Sequence, residues 1–240
     1  MSKYEQIYRK IKSEIENGKY HNGDFLPSEK EYTEMFSCTR NTVRRAIALL
    51  TNEGYLIPQH GKGVQVIYEA NTDKNIFTVG GIESFQEAIA RNKQKVLTKV
   101  ITFEETVVDE EISYKTGLDI GEEIYFVERI RYFDNKALIY DINYFLKKEV
   151  SNLTKEIAKK SIYEYLENDL HITISNSRRR VYAEDANKKD KKYLDLDKYT
   201  YLLVVSGQVF NNKGVMFEYT ESRHRPDHVC FVESAIRQKI

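Results

Sequence analysis

A short basic segment, residues 40–62, carries the side chains best suited to contact nucleic acid. An arginine guanidinium can bond guanine O6 and N7 together, and it binds phosphate oxygens equally well. The segment is therefore a candidate DNA reader, and the alternative is a solvated helix face followed by an ordinary hairpin. Its charged residues, of which only the last is acidic, are Arg40, Arg44, Arg45, Lys62 and Glu53.

A second pair of arginines lies in the apolar segment 124–133, which reads IYFVERIRYF. A strand has a side-chain period of two, so Arg129 and Arg131 would share one face, about 7 Å apart. Both faces are largely apolar, which predicts a central strand, and buried arginines need an anionic partner. The pair suits a pincer on one phosphate group. The alternative is a pair of buried salt bridges to the chain's own carboxylates.

Two helices are predicted ahead of the basic segment. Apolar residues at helical spacing indicate a first helix from about Tyr4 to Ile15. Ser28 stands three residues before Glu31, the arrangement of a capping box, in which each side chain bonds the other's backbone N–H. A second, short helix therefore begins at this point and runs to about Phe36.

A third helix, followed by a hairpin, is predicted to position the basic side chains. A polar turn at residues 37–39 separates it from the second helix, and two short helices across such a turn form a helix-turn-helix. The N-terminal end of the third helix enters the major groove in this motif, where Thr39 and Thr42 could add phosphate bonds. β-Prone runs around a glycine-containing turn predict a wing, with His60 and Lys62 at its tip. The apolar face of the third helix comprises Val43, Ala46, Ile47 and Leu50.

The length of 240 residues predicts two compact units. Residues 68–78 lose periodicity and carry turn formers, so we expect a DNA-binding domain at 1–70, a linker at 71–78 and a second domain at 79–240. Short turns between adjacent strands, such as Asp134-Asn135 and Asn211-Asn212, imply antiparallel pairing and an α+β fold in the second domain. The strand-like stretches lie at about 96–104, 123–133, 136–146, 173–184, 200–210 and 214–224.

Composition excludes several classes of protein. The net charge is zero, so a nucleic-acid interface must rest on local placement of charge. No apolar run approaches the roughly 20 residues that span a bilayer, which predicts a cytoplasmic protein with no membrane partner. Cys38 and Cys230 lie far apart in sequence and suggest neither a disulfide nor a metal site, and no cofactor is expected. The run 178–180, three arginines, is interpreted as an exposed basic strand, or one paired with nearby acids, more readily than as a second DNA contact.

The segment 26–66, LPSEKEYTEMFSCTRNTVRRAIALLTNEGYLIPQHGKGVQV, resembles the winged helix of the GntR superfamily of transcription regulators. Lys30 stands where the family pattern more often has arginine, and Cys38 occupies a small apolar position in the turn. The resemblance implies DNA contacts from Lys30, Arg40, Thr42, Arg44, His60 and Gly61. The reading of the residues themselves adds Thr39, Arg45 and Lys62.

Residues 75–240 resemble the effector-binding (UTRA) domain of the HutC branch of that superfamily, an antiparallel α+β fold shared with chorismate lyase. Three of the implied effector residues have alternative roles: Ser161 as a helix cap, Tyr163 as a core residue and Glu218 as a solvated strand residue. His224 stands where an aromatic residue, often tyrosine, is usual. The implied effector site comprises Ser84, Phe85, Arg129, Arg131, Ser161, Tyr163, Glu218 and His224.

Within that branch, the segments LTKEIAKKSIYEYLENDLHITIS and FEYTESRHRPDHVCFVE resemble the trehalose-operon members of Gram-positive bacteria. The resemblance implies a repressor that trehalose 6-phosphate releases from a palindromic operator before sugar-uptake and phosphotrehalase genes. Glucosamine 6-phosphate is the main rival effector, and a lyase-like enzyme or a pure interaction module are the alternatives from other classes. A homodimer is expected because one winged helix reads too few base pairs for useful specificity.

Overall fold

The computed structural model describes residues 2–69, 75–78, 82, 85–91 and 95–232. The chain forms two compact units, of which the first comprises Met1–Gly81 with Phe231–Ile240 and the second comprises Ile82–Cys230. None of the helices in the described part of the chain has the length and hydropathy to cross a lipid bilayer.

The first unit contains the three predicted helices and the predicted hairpin. The capping box of Ser28 with Glu31 forms as the sequence pattern predicts. The buried residues of the third helix are likewise the predicted apolar ones. Ser37 ends the second helix in the left-handed region, with φ 47°, which makes the turn tight. The elements of the first unit are α1 (Lys3–Glu16), α2 (Glu29–Phe36), α3 (Arg40–Asn52), β1 (Leu56–Gln59), β2 (Gly63–Val66) and β3 (Asn75–Thr78).

One core holds α1, α2, α3 and the hairpin together. Ile7 and Ile11 of α1 are fully buried against Val43 and Leu50 of α3, so the helices pack through their apolar stripes. The C-terminal end of α3 is also fixed, since the next residue, Glu53, accepts a bond from the Tyr8 hydroxyl at 2.7 Å. The first unit therefore presents α3 from a rigid support.

The structure places a strand, β3, inside the segment expected to be a linker. The sequence there offers only four residues of strand, NIFT, flanked by turn formers. So short a run has no readable period, which is why the pattern indicated a linker.

The second unit is built on a six-stranded antiparallel sheet with the order β4-β5-β6-β9-β8-β7, so the α+β fold class is confirmed. Strand β5 lies between two neighbours and is buried over nearly its whole length, as predicted for a central strand. Its elements are α4 (Phe85–Arg91), β4 (Val96–Val107), α5 (Glu110–Thr116), β5 (Glu123–Phe133), β6 (Lys136–Leu146), α6 (Lys155–Ala158), α7 (Ile162–Glu164), a π-helical turn (Tyr165–Asp169), β7 (Ile174–Asp185), α8 (Lys188–Tyr193), β8 (Tyr201–Asn211), β9 (Met216–His224), a 3-10 turn (Pro226–His228) and β10 (Val229–Val232).

Helices cover both faces of this sheet. On one face, Val127 and Phe145 pack against Ile162 and Leu166 from α7 and the π-helical turn. On the other, Ile130 belongs to a core that includes side chains of α5 and α8. Because side chains alternate along β5, the odd-numbered residues, which include both arginines, share the α7 side.

Candidate nucleic-acid interface and buried arginine cluster

The N-terminal half of α3 presents a basic, solvent-exposed face. Arg40, Arg44 and Arg45 are all exposed, while the opposite face of the helix is buried in the core of the first unit. Thr39 caps the helix, and its hydroxyl accepts from the backbone N–H of Thr42 at 3.3 Å. The end of α3 that enters a major groove in a helix-turn-helix therefore carries solvent-exposed arginines.

Two of these arginines are restrained in different ways. Arg44 donates from Nε to Glu29 Oε1 at 2.8 Å, although 66% of its side chain stays exposed. The guanidinium of Arg45 lies over the ring of Tyr4, 3.8 Å from the ring centroid. Arg44 is thus oriented from α2 with most of its surface open, while one face of the Arg45 guanidinium is already stacked on an aromatic ring.

The wing is a tight hairpin with a glycine on each side of its basic tip. Gly61 and Gly63 have φ of +73° and +109°, a region that favours glycine, and they flank Lys62. His60, Gly61 and Lys62 are all exposed. The chain before α2 pairs with the hairpin, since the Leu26 N–H bonds the Val64 carbonyl at 2.9 Å. Backbone bonds on both sides of β2 therefore hold the tip outward.

Lys30 is held only weakly within the first unit. Its ammonium lies 3.8 Å from Glu34 one turn along α2, and 76% of its side chain is exposed. An exposed pair of this kind stabilises the fold by about 0–1 kcal/mol. Lys30 is therefore available as a point-charge contact to phosphate.

On the α7 side of the second unit's sheet, Arg131 is paired within the chain. Its Nε lies 2.8 Å from Asp141 Oδ2, its Nη1 donates to Thr98 Oγ1 at 2.6 Å, and both charged groups are buried. Asp141 also accepts from Ser222 at 2.6 Å. Burial alone would raise the pKa of Asp141, but the charges of Arg131 and Arg129 outweigh it and hold that pKa below its usual value. For Arg131 the structure thus shows the internal salt bridge that was the alternative to a phosphate contact.

Arg129 is buried without such a pair. Its Nη2 donates to the amide oxygen of Asn143 at 2.9 Å, and its Nε has no hydrogen-bond partner among the described residues. Burial, followed by the nearby charge of Arg131, lowers the pKa of the Arg129 guanidinium to about 9. It stays charged at pH 7, so this side of the sheet holds a buried positive charge whose donors are not all used.

Glu218 lies beside this arginine and is itself buried. It accepts from the amide of Asn143 at 2.9 Å and from the hydroxyl of Tyr163 at 3.0 Å. Burial raises the pKa of Glu218 to about 7, although these two bonds and the charge of Arg129 oppose the rise. The carboxyl is thus poised between its neutral and charged forms near pH 7, and it is not the solvated strand residue that was one alternative.

The remaining predicted effector residues lie around the same face. Ser161 caps α7, accepting from the Glu164 N–H at 3.2 Å, so the helix-cap alternative is the role that the structure shows for its oxygen. Phe85 begins α4, and the Arg131 guanidinium lies 4.2 Å from its ring centroid. His224 is buried in β9, and burial lowers its pKa to about 4, which leaves the imidazole neutral at pH 7. Ser84 lies outside the described residues.

Sequence reasoning missed the residues of β6 that contact the arginines, Asp141 and Asn143. They are two polar residues at a spacing of two inside an otherwise apolar run, ALIYDINYFL. In the sheet they face the same side as Arg129, which is the direct cross-strand partner of Asp141. Polar residues at that spacing in a buried strand are a signal that could have identified them.

Comparisons with known protein families cover both units. The model described as "Bacterial regulatory proteins, gntR family" matches residues 3–66, and the model described as "UTRA domain" matches residues 91–229. The chain is 37% identical over 239 residues to the HTH-type transcriptional regulator TreR of Bacillus subtilis, covering 100% of this chain and 99% of that protein. It is 26% identical to the HTH-type transcriptional repressor NagR of the same organism, covering 95% and 93%.

Two solved structures agree with these relatives. The possible transcriptional regulator YydK of Bacillus subtilis superposes with a TM-score of 0.81 at 25% identity, covering 98% of this chain and 100% of that one. The effector-binding domain of the B. subtilis trehalose repressor TreR superposes with a TM-score of 0.55 at 38% identity, covering 60% and 99%. The named relatives are transcriptional regulators, and none of these names is that of an enzyme.

Proposed function

The chain belongs to the GntR family of bacterial transcriptional regulators, and on that premise we propose which genes it regulates and what it senses. It represses genes for trehalose uptake and utilisation by binding their operator as a homodimer. Trehalose 6-phosphate binds beside the buried Arg129 and releases the repressor. The likeness to TreR over the whole chain supports the sugar, and the buried guanidinium of Arg129 supports the phosphate.

The buried Arg129 guanidinium, with its unused donor, is the observation that supports a phosphate-bearing effector. A buried guanidinium with an unused Nε gains most from a ligand that brings both negative charge and acceptor oxygens. Neutral trehalose would leave the charge unpaired, so it should bind far more weakly than its phosphate ester. Asn143, Thr220 and Glu218, which lie together beside Arg129, offer polar groups for sugar hydroxyls.

Release of DNA follows from linkage between the two ligands. An inducer must bind the free repressor more tightly than the operator-bound repressor, by the same factor as it weakens operator affinity. We propose that it does so by favouring a dimer geometry in which the two winged helices no longer match the spacing of the half-sites.

The DNA-binding half of the proposal predicts a near-palindromic operator. Two exposed arginine helices related by a two-fold axis should protect two half-sites about one helical turn apart, or a multiple of that distance. Footprinting on the DNA upstream of the regulated genes measures this directly. Protection of a single asymmetric half-site by a monomer would contradict the proposal.

Anion binding in the pocket is expected to weaken as pH rises from 6 to 8. Glu218 has its pKa raised from 4.5 to about 7, so its proton is lost over this interval and a negative charge appears beside Arg129. Sulfate is a suitable probe because its own charge is constant, and its affinity should fall by about tenfold. Calorimetric titration of wild type and Glu218→Gln tests this.

The stability of the fold is expected to depend on pH in the same direction as anion binding, decreasing as pH rises. A pKa raised in the folded state means that the stabilising contribution of Glu218 is complete below pH 4.5 and is lost as pH rises through 7.

The Glu218→Gln variant should show a sulfate affinity that does not change between pH 6 and 8. An equally steep fall in wild type and variant would remove Glu218 from the pocket's electrostatics.

A further inference from the structure

A row of cross-strand partners runs across the second unit's sheet on the α7 side, starting at the residue that bonds Arg129. Asn143 of β6 lies opposite Thr220 of β9, and its amide nitrogen donates to the Thr220 hydroxyl at 3.0 Å. Thr220 lies opposite Gly207 of β8, which lies opposite Arg179 of β7. Partners in such a row share one face of the sheet. The row therefore leads from Asn143 to Arg179 over three strand spacings, about 14 Å.

The side chain of Arg179 is turned inward along this row. A β-carbon at residue 207 would lie 2.9 Å from Cγ of Arg179, so the arginine crosses β8 in the space that Gly207 leaves open. Arg179 is partly buried, whereas Arg178 and Arg180, which alternate to the opposite face, are exposed. Arg179 therefore leans towards β9 and the predicted effector residues, and not outward from the edge of the sheet.

The charge of Arg179 acts on the same hydroxyl as the charge of Arg129. Burial raises the pKa of Tyr163 well above its ordinary value, and the charges of Arg179 and Arg129 oppose that rise. The Tyr163 hydroxyl donates to Glu218 of β9, a strand that lies between β5 and β7 in the sheet order. Arg179 thus brings a second positive charge to the far side of Glu218.

The sheet is less covered along this row than it is under α7. Thr220 and Ser222 of β9 and Val205 of β8 are partly exposed, while Phe145 of β6 is fully buried in the core that includes α7. An elongated ligand that starts at Arg129 can therefore continue only away from α7, along the open part of the row. Arginine has five N–H donors in a planar fork, which suits the hydroxyl oxygens of a sugar ring.

We propose that Arg179 determines the length of the effector by contacting the distal ring of a disaccharide phosphate whose phosphate lies beside Arg129. The inference rests on the proposed function for the position of the phosphate, and it adds the residue that distinguishes a disaccharide from a monosaccharide. A hexose phosphate held at Arg129 ends beside Asn143 and Thr220. A second ring continues along the row and meets Arg179.

Calorimetric titration of the full-length protein with trehalose 6-phosphate, glucose 6-phosphate and sulfate tests this proposal. Arg179→Met should lower the affinity for trehalose 6-phosphate by roughly 10- to 150-fold, because hydrogen bonds from a charged donor are lost. The affinities for glucose 6-phosphate and sulfate should change by less than about twofold, since neither ligand extends to residue 179.

Two further variants separate a ligand contact from a general effect of charge or fold. Arg178→Met removes the same charge from the opposite face of the same strand, so its three affinities should match those of wild type. Arg179→Lys keeps the charge but loses the planar fork, so it should recover only part of the affinity for trehalose 6-phosphate. Circular dichroism and sedimentation velocity should show the same fold and oligomeric state for all of these proteins.

The outcomes separate this inference from the proposed function. If the preference for trehalose 6-phosphate over glucose 6-phosphate survives in Arg179→Met, or disappears equally in Arg178→Met, the role of Arg179 is overturned and the repressor proposal stands. A loss of the same size for all three ligands in Arg179→Met would also overturn it, because the effect would then be electrostatic and independent of ligand length. A wild-type protein without that preference would contradict both the distal contact and the trehalose assignment.

Discussion

An Arg129→Met variant is expected to hold the operator and to lose the response to inducer. The residue is remote in sequence from the arginine helix and is buried in the second unit, so operator affinity should be unchanged. Removing a buried, hydrogen-bonded partner of a ligand charge costs about 2–5 kcal/mol, which corresponds to roughly 30- to 5000-fold in inducer affinity. Gel-shift titration of inducer against the variant–operator complex measures both quantities.

The same variant should fold at least as stably as wild type. Arg129 is buried with an unused donor, and burial already lowers its pKa to about 9, so its charge carries an electrostatic cost that methionine removes. Release of the variant at wild-type inducer concentrations would show that Arg129 does not hold the effector.

Arg131→Met is the matched control, and it should behave differently. Replacing Arg131 leaves the buried carboxylate of Asp141 without its charged partner, which is expected to lower the free energy of unfolding by about 3–5 kcal/mol. The double variant Arg131→Met with Asp141→Leu should recover most of that stability. Chemical denaturation of the three proteins provides the comparison. Equal stabilities for Arg129→Met and Arg131→Met would contradict the distinct roles that the structure gives them.

An Arg44→Ala variant is expected to lose operator affinity by about 1–3 kcal/mol and to lose less on random DNA. The side chain is 66% exposed, and Glu29 restrains its Nε, so it is oriented before DNA arrives. Pre-ordering reduces the entropy lost when the arginine contacts a base edge. Competition binding with operator and random duplexes at one fixed salt concentration measures the difference.

Arg45→Ala is the control from the same helix face. The Arg45 guanidinium is stacked on Tyr4, which leaves it suited to a phosphate contact and less free to reach a base. Its loss should therefore weaken operator and random DNA equally and reduce the salt dependence of binding. A uniform loss from Arg44→Ala as well would assign both arginines to phosphate.

The local features of the fold were predictable from sequence because each depends on neighbours in the chain. The capping box of Ser28 with Glu31, the buried stripe of α3 and the two-residue turn Asp134-Asn135 all appear where the pattern placed them. Both residues of that turn have positive φ, which asparagine and aspartate tolerate better than most residues do.

The partners of the two buried arginines could not be predicted in the same way. Their shared face on β5 follows from a period of two, but Asn143 and Glu218 are 75 residues apart and meet only because β6 pairs with β9. The two-residue alternation along β5 does not determine which arginine faces a carboxylate, because that depends on the register in which β5 pairs with β6. The sequence therefore left the salt-bridge and phosphate alternatives open, and the structure gives Arg131 an internal carboxylate and leaves Arg129 without one.

The most direct test of the central claim is a titration of the protein–operator complex with trehalose 6-phosphate, glucosamine 6-phosphate, glucose 6-phosphate and trehalose. Fluorescence anisotropy of labelled operator follows release. We expect trehalose 6-phosphate to release the DNA at the lowest concentration and neutral trehalose to fail at concentrations at least about 100-fold higher. Release by glucosamine 6-phosphate at a lower concentration would contradict the trehalose assignment, and release by trehalose alone would contradict the role of Arg129 as the phosphate site.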